Sequence, residues 1–427
     1  MRETNAQIIT SGVVERKMVS RAITLLSIGH VAAAGPRDPF TWEPIRQLLS
    51  GWKFTTEYAV SIGTAEHGQL FYYEGGRFSM ETQIPTGSTS KWPSAMMFAG
   101  LVADGTIASL DDPVHKYLKY WTSNPLDMRS EITLRHLLTF TSGFGSGDPG
   151  DDGNGRAARK WRVSKYGSAA PLAHVGNTTT ACNEETGEIS ECARSIYEEV
   201  PLIGRPGHVW SYNSNHLQVA AGLAVAASGL SIDQVIHKYL FDPLNMTHSR
   251  YSGKCPEFAF GLRTTGADYA KFLRGVVSYK FPSAQIVLES EKDATPFNSD
   301  KYGLYGNYAF GHFLMCFDSV DGFTDACADA RSHFDPGAFG FMPIIDRKYG
   351  YWFEVVAAEF PPTGSYPLSG IPEYLAVALK PHVEAIFSQH PPESQAHPHH
   401  TPSFGTELSI ADVNYCLDCK LNPDNCS

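Results

Sequence analysis

The chain has 427 residues, of which 42% are hydrophobic and 19% charged, and it carries a net charge of −11. This apolar content provides for a large core and excludes a globally disordered chain. The negative charge, with no run rich in Lys or Arg to offset it, argues against nucleic acid as a partner.

The beginning of the chain, residues 1–40, has the features of a targeting segment. Arg16, Lys17 and Arg21 precede the weakly apolar stretch AITLLSIGHVAAAG, whose closing alanines suit a signal-peptidase site. We therefore expect a secreted or lumenal protein; the alternatives are a mitochondrial presequence and an unprocessed tail with Met18 as the true start. No run of 18 uninterrupted apolar residues is present, so the sequence predicts no stable membrane span.

The first elements of the body determine the position of Ser88. Residues 42–49 have helical apolar spacing, and residues 57–77 read as two strands joined by a Gly-containing turn. After the turn-like PTGS, the segment KWPSAMMFAGLVADG predicts a helix with Gly105 as its stop signal. Ser88 thus lies where a loop becomes a helix, beside free backbone N–H groups and the positive end of the helix dipole.

The rest of the chain predicts a helical middle enclosed by strands. Residues 145–195 are rich in Gly, Asp, Asn, Ser and Thr with little periodicity, which predicts a long surface excursion. Residues 332–360 predict two strands around a turn, and residues 372–387 predict a closing helix. We expect one domain over 41–389, followed by a disordered Pro- and His-rich, Cys-containing tail over 390–427.

The eight cysteines form an even set that suits an oxidising compartment. Cys182 and Cys192 bracket a short acidic segment and are predicted to form a disulfide. Cys416-Leu-Asp-Cys419 has no second Cys-x-x-Cys to complete a zinc site, so no metal is expected there. Asn177 and Asn245 open Asn-x-Thr sequons, which become glycosylation sites if the chain enters the secretory route.

A candidate nucleophile with its base is present in Ser88-Thr-Ser-Lys91. A serine hydroxyl needs a nearby base, and a lysine three residues later on a helix lies on the same face. A second copy of the pattern, Ser50-Gly-Trp-Lys53, follows a helix, so its hydroxyl would sit at a helix C-terminus whose dipole opposes an oxyanion. Helix polarity therefore favours Ser88, although a serine in this position can also serve only as a helix cap.

At these motifs the sequence resembles the serine β-lactamase-like and penicillin-binding family, related to class C β-lactamases and D-alanyl-D-alanine carboxypeptidases. The resemblance covers about residues 45–388. The segments that carry it follow the family's order: TGSTSKWPSAMMFAGLVADG, DGTIASLDDPVHKYL, ITLRHLLTFTSGF, RPGHVWSYNSNHLQVAAGLA and YLFDPLNMTHSRY. It implies an α/β fold of the α+β type, with a mostly antiparallel sheet flanked by helices and an inserted all-helical subdomain. It also implies a covalent acyl-enzyme that needs no metal or organic cofactor.

The family's second motif, Tyr-x-Asn, matches at Tyr212, with Ser214 in the usual Asn position. The resemblance implies that Tyr212 shares proton transfer with Lys91 and that Ser214 orients Lys91 or a substrate amide. Serine has a shorter reach and one donor fewer than asparagine. A literal Tyr305-Gly-Asn307 lies within a predicted strand and lacks the family's flanking residues.

The family's third motif, Lys-Thr-Gly or His-x-Gly, has its best match in SHFDPGAFGF. His333 would take the basic position, and Asp335 stands where Gly is usual. The residue that would donate a backbone N–H to the oxyanion hole is Pro336, which has none. Gly337 and Ala338 are the alternatives for that donor.

Together these motifs predict a serine hydrolase that acts through an acyl-enzyme on a small-molecule or peptide-like ester or amide. The activity could be that of a carboxylesterase, a peptidase or a β-lactamase. A catalytically weak family member that serves as a binding or assembly protein is the alternative, motivated by Ser214, Asp335 and Pro336.

Overall fold

The framework is an antiparallel sheet built from both ends of the body of the chain. Its strands, together with the short pair β3 and β4, are β1 Tyr58–Thr64, β2 Gly68–Glu74, β3 Ile84–Pro85, β4 Arg263–Thr264, β5 Tyr305–Tyr308, β6 Phe313–Met315, β7 Ser332–Phe334, β8 Met342–Asp346 and β9 Tyr351–Ala357. The order across the large sheet is β2-β1-β9-β8-β7-β6-β5. β1 pairs along its whole length with β9, so the early and late parts of the chain close one sheet.

The computed structural model describes residues 40–53, 55, 57–146, 179–297, 305–315, 328–329, 331–358 and 371–389. All of them belong to a compact unit that begins at Phe40. The predicted leader up to residue 39 and the predicted tail lie outside these residues, so the proposed domain boundaries stay predictions.

Most helices lie between β2 and β5 in the chain. The helices are α1 Glu43–Gly51, α2 Lys91–Ala103, α3 Leu134–Leu138, α4 Ile189–Glu199, α5 Asn215–Ser228, α6 Ile232–Ile236, α7 Asp242–Leu244, α8 Gly266–Val277, α9 Ala284–Ser290 and α10 Ile371–Gln389. Short 3₁₀ turns span Gly87–Ser90, Val114–Lys116, Met128–Glu131 and Thr180–Cys182, and a π-helical turn, His237–Phe241, joins α6 to α7. Strands at both ends therefore enclose a helical middle, as predicted.

Helices α8 and α10 cover opposite faces of the sheet. The ring of Phe387 on α10 stacks on Tyr351 with centroids 5.2 Å apart. A Cβ atom added to Gly266 on α8 would lie 3.2 Å from the side chain of Val356. Tyr351 and Val356 are an odd number of residues apart on β9, so their side chains point to opposite faces. This two-sided cover explains why every residue of β9 is buried.

The structure confirms the predicted α/β fold and its first elements. The helix predicted over 42–49 is α1, the two strands predicted over 57–77 are β1 and β2, and the helix after PTGS is α2. The closing helix predicted over 372–387 is α10. The small differences lie at element ends, where the last turns depend on packing rather than on local pattern.

Three element predictions were incomplete. Residues 332–360 carry three strands, because β7 precedes the predicted pair. The stretch YGNYAFGHFL, predicted to lie in one strand, is the hairpin of β5 and β6, turned at Gly311 with φ +66°. Part of the predicted excursion over 145–195 is helix α4, whose buried residues Ile189, Cys192 and Ile196 have helical spacing interrupted by charged side chains.

No single helix in the described part of the chain is long and apolar enough to cross a membrane. The neighbouring helices Asn215–Ser228 and Ile232–Leu244 reach that length and hydropathy only together, and they are bent by 94° at the break. The first of them, α5, packs in the core.

The structure joins Cys182 and Cys192 in a disulfide, with Cα atoms 4.5 Å apart. The bond ties the 3₁₀ turn Thr180–Cys182 to the buried face of α4. It is the pairing that the spacing of the two cysteines predicts.

Candidate active site

Ser88 lies on the 3₁₀ turn Gly87–Ser90, directly before α2, and is half-buried. Lys91 is the first residue of α2 and is fully buried. Its Nζ donates to Ser88 Oγ at 3.1 Å and to the Ala259 carbonyl oxygen at 2.7 Å. The pattern Ser-x-x-Lys thus becomes a direct contact between a reachable hydroxyl and a sequestered amine.

The backbone before Ser88 packs tightly against the segment that follows β7. Gly87 has φ +62°, and a Cβ atom placed on it would lie 3.1 Å from the Ala338 nitrogen. A Cβ atom on Gly337 would lie 2.0 Å from the Thr86 carbonyl oxygen. Glycine is favoured at position 87 by the left-handed backbone, and it is required at position 337 because a side chain there would overlap the Thr86 backbone. The close approach brings the Ala338 nitrogen beside Gly87, the residue before the nucleophile.

The environment of Lys91 favours its neutral form more than water does. Burial lowers its pKa to about 8, and the charges of Asp335 and Glu257 oppose this lowering. Only a neutral amine can accept the Ser88 proton, so a pKa near 8 gives a usable fraction of base at neutral to mildly alkaline pH.

Tyr212 packs against the same amine. Lys91 Nζ lies 4.4 Å from the centre of the Tyr212 ring, and the Tyr212 side chain hydrogen-bonds to Ser88. Burial, reinforced by the charge of Asp335, raises the pKa of Tyr212 well above that of a free phenol. Tyr212 therefore keeps its proton at neutral pH and can donate or relay it, which leaves Lys91 as the base. Four aromatic side chains surround it: Phe140, Trp210, Tyr308 and Phe313.

Ser214, predicted to orient Lys91 or a substrate, is buried at the start of α5 and hydrogen-bonds to Glu257. Glu257 is a site residue that the sequence patterns did not single out. Its carboxylate accepts the Ala259 N–H at 3.0 Å, and burial raises its pKa to about 7. The available signal is an acidic residue inside the otherwise apolar run CPEFAFG.

His333 and Asp335 occupy different surroundings on the third motif. His333 Nδ1 hydrogen-bonds to His312 Nε2 at 3.1 Å, and its Nε2 lies 3.7 Å from Glu291. Within the described residues, His333 makes no hydrogen bond, ion pair or ring contact with Ser88. The side chain of this motif that acts electrostatically on Lys91 is Asp335, which accepts the Trp92 N–H at 3.1 Å. A substrate contact for His333 stays a prediction.

The two candidate oxyanion donors also differ. The Gly337 N–H donates to the Phe341 carbonyl oxygen at 2.8 Å, so it is already used inside the segment. The Ala338 nitrogen is the atom that approaches Gly87, the residue before the nucleophile. Geometry therefore favours Ala338 over Gly337 as the donor.

The second Ser-x-x-Lys motif, Ser50 to Lys53, lies at the C-terminal end of helix α1, as predicted. Ser50 lies in the last turn of α1 and is exposed, with its hydroxyl bonded to the Gln47 carbonyl oxygen at 3.1 Å. Lys53 is exposed beyond the end of that helix. Among the residues that the structure describes, no group of three or more His, Cys, Asp or Glu side chains could hold a metal ion.

Comparison with known proteins identifies the family. The sequence profile of the family described as Beta-lactamase matches residues 55–306, more than half of the chain. The chain belongs to the β-lactamase family. The match includes Ser88, Lys91, Tyr212 and Glu257.

Relatives of this β-lactamase family member are distant in sequence. PbpX of Bacillus subtilis (strain 168), provisionally named a penicillin-binding protein, is 23% identical over 287 residues, which are 67% of this chain and 57% of PbpX. The chain thus spans little more than half the length of that relative. The crystal structure of a protein from Bacteroides dorei DSM 17855, provisionally named a β-lactamase, matches with a TM-score of 0.59 and 22% identity, covering 82% of this chain and all of that one.

Two further structures share the fold at low identity. A LovD6 mutant of simvastatin synthase from Aspergillus terreus matches with a TM-score of 0.58 at 15% identity, over 82% of this chain and 99% of that one. EstCE1, described as a hydrolase with promiscuous acyltransferase activity, matches with a TM-score of 0.56 at 14% identity, over 78% and 96% of the two chains. At such identities the likeness establishes the fold alone.

Proposed function

We propose that this protein is a serine hydrolase that forms an acyl-enzyme on Ser88 from an ester or amide substrate. The observation that carries the proposal is the 3.1 Å contact between the half-buried Ser88 hydroxyl and the buried Lys91 amine. A hydroxyl reachable by substrate, next to an amine whose pKa lies near 8, meets the requirements of an activated nucleophile.

In the proposed reaction, neutral Lys91 takes the proton of Ser88 while Oγ attacks the substrate carbonyl carbon. The backbone N–H groups of Ser88 and Ala338 hold the oxyanion, a contribution of about 3 kcal/mol per donor in serine hydrolases. Protonated Tyr212 donates to the leaving group and is reprotonated from Lys91. Water then attacks the acyl carbonyl, again with Lys91 and Tyr212 moving the proton, and Ser88 is released.

Uncharged acyl donors suit the described walls of the site. The ring of Phe339 lies beside Gly87, next to the nucleophile, and is half-buried. The titratable groups that act on Lys91, Glu257 and Asp335, are both acidic, and in their ionised form they oppose a substrate carboxylate. An activated ester with a short acyl chain is therefore the first substrate to try. The acyltransferase activity in the description of EstCE1 adds acyl transfer as an outcome to measure.

The test is hydrolysis of p-nitrophenyl butyrate by the wild type, Ser88→Ala and Ser50→Ala. Ser50 belongs to the exposed second Ser-x-x-Lys and serves as the matched control. We expect Ser88→Ala to fall to the rate without enzyme and Ser50→Ala to keep the wild-type rate. Equal rates for the wild type and Ser88→Ala would reject the proposal and favour the binding or assembly role.

We also propose that the chain follows the secretory route. The Cys182–Cys192 disulfide supports this, because disulfides persist in oxidising compartments. Expression of the full chain in a eukaryotic host should give secreted protein whose Asn245, exposed after α7, carries a glycan. Recovery of the chain in mitochondria, with no glycan, would contradict it.

A further inference from the structure

The acidic residue Glu257 is linked to the Lys91 amine by hydrogen bonds through one intervening residue, Ala259. Ala259 donates its N–H to Glu257 at 3.0 Å and accepts the Lys91 amine on its carbonyl oxygen at 2.7 Å. The Glu257 carboxylate thereby fixes the residue whose carbonyl oxygen accepts the Lys91 amine. Glu257 also hydrogen-bonds to the side chain of Ser214. Glu257 and Ser214 are 98% and 99% buried, so these contacts are shielded from bulk water.

We propose that Glu257 is a positioning residue that acts through Lys91: its carboxylate holds the Ala259 carbonyl against the amine and sets the pH at which Lys91 can take the Ser88 proton. The proposal rests on the acyl-enzyme function proposed above. In a buried site a negative charge stabilises the protonated amine, because little solvent screens the interaction. Glu257 thus keeps Lys91 protonated to higher pH than burial alone would.

Other titratable groups lie near Lys91 and Glu257, and their charges must be separated from the effect of Glu257 on Lys91. Lys91 is also subject to the charge of Asp335, from the segment after β7. Glu257 is subject to the charges of Lys91 and Glu184, and its own charge acts on the side chains of Cys255 and Tyr251. Burial raises the pKa of the Cys255 thiol to about 12, so it stays neutral in the pH range of interest. Burial likewise raises the pKa of Tyr251, which also stays neutral. Among the described residues, Asp335 and Glu257 are therefore the acids whose charge acts on Lys91, and burial raises the pKa of Asp335 well above its ordinary value.

The distinguishing readout is the pH dependence of the reaction, not its rate at one pH. If Glu257 only supported packing, replacing it would lower the rate by the same factor at every pH. If it sets the protonation of Lys91, replacing it with a neutral isostere moves the acidic limb of the profile to lower pH. Glu257→Gln suits this purpose, because the amide oxygen can still accept the Ala259 N–H.

The experiment measures the second-order rate of inactivation by a fluorophosphonate from pH 5.5 to 9.5. The proteins are the wild type, Glu257→Gln and the control Glu354→Gln, which makes the same exchange at another fully buried glutamate, on β9, that does not act on Lys91. We expect the acidic limb of Glu257→Gln to move down by roughly 0.5 unit or more. One unit below the wild-type midpoint, the variant should then react about two to three times faster than the wild type. The limb of Glu354→Gln should stay in place.

Ser214→Ala keeps the proposal testable if Glu257→Gln does not fold. The Ser214 hydrogen bond lowers the pKa of Glu257, so removing it keeps the carboxyl neutral to higher pH. The limb should again move down, by less than in Glu257→Gln. A limb unchanged in both folded variants, or moved upward, overturns the role of Glu257. Wild-type protein that takes up no fluorophosphonate at any pH contradicts the proposed function instead, so the two failures are distinguishable.

Discussion

The side chain of Lys91 has a different role in each protonation state. As an ammonium it holds the Ser88 hydroxyl and the Ala259 carbonyl in place, and as an amine it can accept the Ser88 proton. Complete burial lowers its pKa to about 8, so both states are populated in the physiological range. The raised pKa of Tyr212 leaves the phenol protonated beside it. Lys91 is therefore assigned as the base and Tyr212 as the proton donor because of their surroundings in the fold.

Removing the amine should disable the nucleophile. We expect Lys91→Ala to lower kcat/KM for p-nitrophenyl butyrate by roughly 10³-fold or more, because the serine proton then has no acceptor. Lys53→Ala, which removes the exposed lysine of the second Ser-x-x-Lys, should leave kcat/KM unchanged. A Lys91→Ala protein that keeps more than a tenth of the wild-type activity would show that another group is the base.

His333 should matter less than Ser88. It is buried and hydrogen-bonded to His312, and burial together with the charges of Arg347 and Arg331 lowers its pKa, so it is neutral at pH 7. We expect His333→Ala to lose at least ten-fold less activity than Ser88→Ala, measured side by side with thermal melts to confirm folding. Equal and complete losses in folded protein would make His333 an essential catalyst.

Residue spacing alone could predict the site only where its residues are close in the chain, whereas Tyr212 was indicated by its family motif. Ser88 and Lys91 share one turn, and helix polarity separates them from the Ser50 motif without any tertiary information. Glu257 reaches Lys91 through long-range folding, and no local pattern marks the partner of a buried acid. The choice of Ala338 over Gly337 likewise depended on the Phe341 contact, which only the folded segment reveals.

At the scale of elements, the α4 region is held by a covalent tie. The Cys182–Cys192 bond closes a short loop between a 3₁₀ turn and the buried face of α4. We expect the double variant Cys182→Ser/Cys192→Ser to lose about 2 to 3 kcal/mol of unfolding free energy in urea titrations, because the open loop gains entropy when unfolded. The single variant Cys255→Ser serves as a control for loss of a buried thiol. Peptide mapping without reduction that finds Cys182 and Cys192 as free thiols would contradict the bond.

Elements with strong local signals were predictable, and those defined by partners were not. α1 carries clear apolar periodicity, and β1, β2 and α2 are apolar segments bounded by turn residues. β7 has only three residues, and it is a strand because β6 and β8 pair with it on both sides. The hairpin of β5 and β6 depends on the left-handed Gly311, whose absent side chain also allows contact with the Lys91 carbonyl. Pairing partners of this kind are not visible in a single sequence.

At the scale of the whole molecule, the closure of the sheet by β1 and β9 leaves a buried acid in the core. Glu354 on β9 is fully buried, and its charge acts on Tyr269 of α8, which covers that face. Burial raises the pKa of Glu354 well above its usual value, so the folded state favours the protonated acid. Its contribution to stability is therefore complete below the unfolded pKa of about 4.3 and is lost as pH rises toward the folded pKa.

Glu354→Gln should change the pH dependence of stability. Gln resembles the neutral acid and does not titrate, so the unfolding free energy of the variant minus that of the wild type should increase from pH 4 to pH 8. Urea unfolding of both proteins at several pH values measures this difference. The exposed Glu198→Gln is the control and should show none. A difference for Glu354→Gln that is constant with pH would mean that Glu354 titrates normally.

Ser88 should be the one activated serine of the folded protein, and covalent trapping measures this. Folded wild-type protein is treated with a fluorophosphonate, and the adduct is located by intact mass and peptide mapping. We expect a single adduct on Ser88, strongly reduced in Lys91→Ala, because Ser88 combines solvent access with the Lys91 contact. An adduct on Ser50 or Ser214, or no adduct on folded protein, would contradict it.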